Sequence, residues 1–172
     1  MIAASASVDP LVPNEGADRL AFRDAMARLG AAVSIVTTDG PAGRAGFAAT
    51  AVCSVTDDPP TLLVCLNRGS SAHPAVRRNG RICVNVLAGE QAGIARVFGG
   101  RTPMAERFAA GTWGGGGFGL PELDGALASI GCEVQTVTQA GTHDVLFCRV
   151  VSIRSRGDGD ALIYLDRAYR TL

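Results

Sequence analysis

A succession of short apolar, β-branched runs set between turn residues, with few stretches long enough for a crossover helix, is the feature that most restricts the fold. The runs cover residues 32–38, 45–55, 61–66, 82–87, 131–137, 144–153 and 161–165. Parallel strands need a crossover of roughly a dozen residues or more, and most of these intervals are too short or too rich in turn residues to supply one. Only the interval after residue 87 holds helix candidates of useful length, at 90–98 and 103–109. The pattern predicts a mainly β domain with a few helices, its strands antiparallel and closed as a barrel. Asp39-Gly40-Pro41-Ala42-Gly43 supplies hairpin chemistry between the first two runs, and Pro59-Pro60 ends the second by removing ladder donors.

One helix precedes the strands. Leu20, Ala21, Phe22, Ala25, Met26 and Leu29 recur at helical spacing, with Asp18 near the start and Gly30 where a helix would stop. Residues 1–16, rich in Ala, Ser and Pro, show no such period and are expected to be a flexible arm, leaving 17–172 as the single domain. An enzyme carrying a separate doubly wound nucleotide domain would need roughly 250 residues, so the 172 residues here must place any chemistry on one core.

Charge and composition remove several functions. Sixteen basic and sixteen acidic side chains give no field for nucleic acid or an anionic membrane. Every basic residue is an arginine, which excludes a lysine Schiff base. The five cysteines, Cys53, Cys65, Cys83, Cys132 and Cys148, form no CxxC pair and sit in apolar runs. They are expected to be reduced core side chains of a cytoplasmic protein, with no disulfide and no metal framework. No apolar stretch reaches the roughly 18 residues of a membrane span, and no leader pattern opens the chain. With only His73 and His143, and no GxSxG elbow, a nucleophile and base pair has little to be built from.

Two segments remain as candidates. Asn67-Arg68-Gly69-Ser70-Ser71 follows a strand and precedes a helical turn, where small hydroxyls, a glycine and backbone N–H groups suit an anion, although an ordinary polar turn has the same composition. In residues 46–55, Ala49, Ala51 and Cys53 are small alternate positions that would leave one strand face low enough for a flat ring, with Thr50 and Ser54 able to bond a polar edge; close sheet packing explains the same pattern. The four glycines at 114–117 read as a flexible surface loop with no role in chemistry.

Taken in order, Phe22-Arg23-Asp24-Ala25-Met26, the stretch 46–60, Asn67-Arg68, Val84-Asn85-Val86-Leu87 and Gly141-Thr142-His143 resemble the short-chain flavin reductases. The likeness runs from Phe22 to the C-terminus, and the segments at 37–47, 51–57, 59–69, 98–100 and 141–144 look most like the family's pyrimidine-utilisation branch. The reductase component of 4-hydroxyphenylacetate 3-monooxygenase comes next. The resemblance implies a split β-barrel binding FMN, or alternatively FAD or riboflavin, at a homodimer interface and reducing it with NADH or NADPH. It also implies delivery of the reduced flavin to a separate monooxygenase, of pyrimidine rings or else of aromatic substrates. A flavin-binding electron carrier without nicotinamide turnover is the alternative from a different class. By the same resemblance, Ala49, Thr50, Ala51 and Ser54 would meet the ring and ribityl chain. Asn67, Ser70 and Ser71 would hold the phosphate, Asn85 would lie near the site, and Gly141 and His143 would line the nicotinamide side. His143 would position the nicotinamide without acting as an obligatory acid or base, and Thr142 stands where many relatives carry a carboxylate.

Overall fold

The computed structural model describes residues 18–116 and 118–172; the arm expected over 1–16 and the last glycine of the 114–117 run lie outside the described residues. The chain opens with α1 (Arg19–Ala27), started by the Asp18 carboxylate, which accepts the Ala21 N–H at 3.0 Å. No residue of α1 is buried, and its apolar stripe faces out: Leu20 is 63 % exposed and Phe22 57 %.

The strands follow as β1 (Ala31–Ala32), β2 (Ser34–Thr38), β3 (Ala45–Ala49), β4 (Val52–Asp57) and β5 (Pro60–Asn67). After α2 (His73–Asn79) come β6 (Arg81–Val86), a 3-10 turn (Gly89–Gln91), α3 (Ala92–Gly99) and α4 (Met104–Arg107). The rest is β7 (Trp113–Gly115), β8 (Pro121–Leu123), β9 (Ala128–Ala140), β10 (His143–Ser155), β11 (Leu162–Leu165) and β12 (Ala168–Thr171). The main sheet has seven strands in the order β3-β2-β6-β9-β10-β5-β4, and every pairing in it is antiparallel. The fold is thus mainly antiparallel β, as the run pattern predicts.

The run at 45–55 is not one strand. It breaks at Thr50 and Ala51, and its halves become the two opposite edges of the seven-stranded sheet. Laid flat, six inter-strand steps would separate those edges by roughly 29 Å. The link from Ala49 to Val52 spans at most about 11 Å. The sheet therefore curls to bring its edges toward each other, β3 coming against β5, while the Cys65 N–H extends the β4–β5 ladder into the link by donating to the Ala51 carbonyl at 3.0 Å. This break also ends the small-residue alternation expected across Ala49, Ala51 and Cys53: Ala49 is buried, whereas Ala51 and Cys53 are exposed.

Inside the curl, β5 shows the alternation that closure demands, with Leu62, Val64 and Leu66 buried, joined by Val36, Ile82, Val84, Leu146 and Cys148. Helix α2 plugs one end through Ala72, Ala75 and Val76. A second cluster, Val33, Ile35, Leu87, Phe98, Leu123 and Leu162, covers the outside of β2, which is therefore buried along its whole length. A strand buried on both faces must satisfy its polar side chains internally. Thr37 Oγ1 donates to the Pro121 carbonyl at 2.6 Å and Thr38 Oγ1 to the Arg81 carbonyl at 2.7 Å. Asn85, fully buried, donates to the Ile35 carbonyl at 3.1 Å and accepts from the Leu123 N–H at 2.9 Å and Ser129 Oγ at 3.0 Å. These bonds pin β8 to the barrel. Gly114 and Gly115, expected in a flexible loop, are instead the strand paired with it.

All five cysteines are free, but only Cys83, Cys132 and Cys148 are core residues; Cys65 is half-buried and Cys53 exposed, because β4 is an edge strand with one residue of partial burial. Among the described residues, no helix is long and apolar enough to cross a membrane, and no group of His, Cys, Asp and Glu could hold a metal ion.

Burial pushes the Cys83, Cys132 and Cys148 thiols from 9.0 up to about 12. A raised folded-state value means that the unfolded chain loses these protons first, so the stabilisation is complete below pH 9 and declines as pH rises toward 12. The urea midpoint is expected to fall steadily between pH 8.5 and pH 11, and Cys132→Ala to make that fall shallower even though it lowers the midpoint at pH 7.

Candidate functional site

The gap between these edges is also where the main cleft lies. A cavity of about 630 Å³, well within the range of ligand sites, is lined by residues 47–51 from the end of β3, 65–67 and 69–71 from the end of β5 and its turn, 98–104 and Arg107 from the α3–α4 region, and His143 at the start of β10. Of the residues singled out from the sequence, the fold brings together Ala49, Thr50, Ala51, Asn67, Ser70, Ser71 and His143. Ser54, Asn85 and Gly141 do not line the cleft. Ser54 is exposed further along β4, Asn85 is held in the network behind β2, and Gly141 forms the β9–β10 turn at φ 56°, a left-handed conformation that suits glycine.

The turn after β5 is built largely by its own backbone. Gly69 N–H donates to Asn67 Oδ1 at 2.8 Å, Ser70 N–H to the Asn67 carbonyl at 2.9 Å, and His73 N–H to the Ser70 carbonyl at 3.0 Å. Ala72 N–H donates to Ser70 Oγ at 3.3 Å. Those amides are consumed within the turn, so the anion cradle expected from backbone N–H groups is reduced mainly to the hydroxyls of Ser70 and Ser71. The turn leans on β10, where Arg68 donates its N–H to the Thr142 carbonyl at 3.0 Å and its guanidinium to the Gly141 carbonyl. His143 is paired with Asn67 across β5 and β10, and its Nδ1 lies 3.0 Å from Thr142 Oγ1.

The opposite lip was not legible from the sequence beyond the Phe98-Gly99-Gly100 likeness. Arg107 is 7 % exposed, donating through Nε to the Thr102 carbonyl at 3.0 Å and through Nη1 to the Gly46 carbonyl at 2.8 Å. Burial lowers its pKa. Arg101 is a second cation on the lining, and among the described residues no carboxylate lines the cleft. Burying a guanidinium against carbonyls alone is costly, and an anionic ligand would offset that cost. Small side chains at Ala48, Ala49 and Ala51 leave a low wall beside this charge. In that wall, burial and then the neighbouring Cys53 raise the Cys65 pKa and keep its thiol neutral at pH 7.

This geometry agrees with three comparisons. The profile of the family described as flavin reductase like domain matches residues 26–172. The chain is 60 % identical over 151 residues, 88 % of its own length and 87 % of the relative's, to "FMN reductase (NADH) RutF" of Stutzerimonas stutzeri A1501. A crystal structure from Haemophilus somnus 129PT, provisionally named a flavin reductase, superposes with a TM-score of 0.88 at 41 % identity, covering 91 % of this chain and all of that one. BorF, the flavin reductase component of a bacterial two-component tryptophan halogenase, superposes with a TM-score of 0.84 at 28 % identity over 90 % of this chain and 98 % of its own.

The lip containing Arg107 depends on Gly46. A Cβ there would come within 2.8 Å of the Phe98 ring and 3.2 Å of the Val36 carbonyl, and that ring is wedged between Phe108 and Trp113 at centroid distances of 5.3 Å. Gly46→Ala is expected to lower stability by about 1–3 kcal/mol in urea titrations through overpacking.

Proposed function

We propose a reaction from one premise: the chain belongs to the flavin reductase like domain family. It is an oxidoreductase that reduces FMN with NADH and releases the reduced flavin to a separate monooxygenase, which we take to be one acting on pyrimidine rings. The observation that supports this best is the cleft itself, walled by small side chains and lined, among the described residues, by Arg101 and Arg107 with no carboxylate. A planar ring carrying a phosphate suits that combination of a low wall and unpaired positive charge. The pyrimidine assignment draws on the likeness of residues 59–69 and 141–144 to that branch and on the curated relatives named RutF, at 56–60 % identity.

In this reading Ser70, Ser71 and Asn67 hold the phosphate end, and Ala49, Thr50 and Ala51 flank the ring. His143 orients the nicotinamide from the β10 side. When bound, flavin and nicotinamide exchange the hydride between themselves. The protein's part is to stack, orient and exclude water, so no side chain need act as an obligatory acid or base. Thr142 supports His143 at its ring, Oγ1 lying 3.0 Å from Nδ1. We take the chain to be a homodimer, a reading supported by the exposure of Ser54 on β4 and of the apolar stripe of Leu20, Phe22 and Met26 on α1.

Anaerobic mixing of the protein with FMN and NADH is expected to bleach the flavin within seconds; no bleaching would leave a flavin carrier in its place. Ser70→Ala with Ser71→Ala should weaken FMN about tenfold or more and riboflavin much less, as titrated by fluorescence. His143→Ala should cut NADH oxidation at saturating FMN by less than about a hundredfold while leaving FMN affinity intact. Light scattering should give about twice the 17.7 kDa chain mass, and addition of a uracil-ring oxygenase should couple NADH oxidation to uracil loss.

A further inference from the structure

We propose that Asp144 and His73 form a positioning pair that holds the Ser70–Ser71 turn in register with His143, so that the two ends of the cleft keep a set separation. The proposal rests on the assignment of that turn to the flavin phosphate. Neither Asp144 nor His73 lines the cleft; both act through their neighbours.

Asp144 follows His143 on β10, and strand alternation sends its side chain into the barrel while His143 faces the cleft. It is 2 % exposed, and His73 Nε2 donates to its Oδ2 at 2.9 Å. Arg77, one turn further along α2, brings its Nε to 3.8 Å from the same oxygen. Among the described residues, Asp144 Oδ1 has no hydrogen-bond partner. A carboxylate so buried, with one oxygen bare, is poorly placed if its only purpose is to fill the interior. The next two inward positions of the same strand, Leu146 and Cys148, show that this interior accepts apolar or weakly polar side chains.

What the carboxylate adds is direction. His73 opens α2, and its own N–H donates to the Ser70 carbonyl at 3.0 Å. A continuous path therefore runs from Ser70 through His73 and Asp144 to His143, across a single peptide bond at the end. It adds to the ties that the turn already has at its start, the Asn67–His143 pair of the β5–β10 ladder and the bonds of Arg68, two residues before Ser70.

The test is the dissociation constant for FMN and for riboflavin, measured with His73→Ala, His73→Gln and Asp144→Asn, each in the natural chain and alongside Ser70→Ala with Ser71→Ala. His73→Ala is expected to weaken FMN about tenfold and riboflavin about twofold at most. His73→Gln, whose amide can still donate to Asp144, should recover most of that loss. In the chain lacking both serine hydroxyls, His73→Ala should cost little more, because the turn no longer has a contact to position. Unchanged FMN affinity in His73→Ala, or the same further tenfold loss without the serines, overturns the proposal. If Asp144→Asn does not fold, the His73 variants decide, since that side chain is 21 % exposed. Should the serine variant itself weaken FMN and riboflavin alike, the phosphate assignment fails first; if it discriminates and His73→Ala does not, only the positioning pair falls.

Discussion

Closure of the sheet by a two-residue link governs the rest of this structure. The outermost strands of a seven-stranded sheet are neighbours in sequence, and Thr50 and Ala51 cannot reach across a flat one. Curling gives the interior its alternating apolar strands and creates the seam at which β3 meets the end of β5. The cleft is that seam. Its low wall consists of alanines because the link and its flanks must pass close to β5, as the bond from Cys65 to the Ala51 carbonyl records. The same residues that close the barrel therefore shape the surface on which a ring would lie.

Two buried charges beside the seam are treated differently. Asp144 has a hydrogen-bond donor in His73 and a cation close by in Arg77. Arg107 is held by carbonyls alone. Carbonyl dipoles fix a guanidinium in place but do not neutralise it, so its field extends into the cleft. Asn85, deeper in the fold, leaves no such surplus: it uses both its donor and its acceptor to join β2, β8 and β9, and so belongs to the scaffold.

Strand order could not be derived from local pattern, and the run at 45–55 shows why. Nothing in its composition marks Thr50 and Ala51 as a corner, because small residues are compatible with both a continuous strand and a bend. The α1 stripe reads as a helix correctly, yet periodicity cannot say that this chain leaves it uncovered. Arg107 was equally hidden: its significance comes from Gly46 and Thr102, one of them 61 positions away in sequence.

The amino-acid sequence by itself determined the β class, the opening helix and the turn after β5, because these rest on periodicity and turn chemistry within a few residues. It also determined, through resemblance, the kind of ligand to look for. Only the tertiary structure decided which candidates share one wall, moved Asn85 from the site to the core and set two cations without a carboxylate at the lip. It likewise joined Asp144 to His73 from positions 71 residues apart. Those outcomes depend on which distant strands pair and which faces they bury, and no local pattern encodes that pairing.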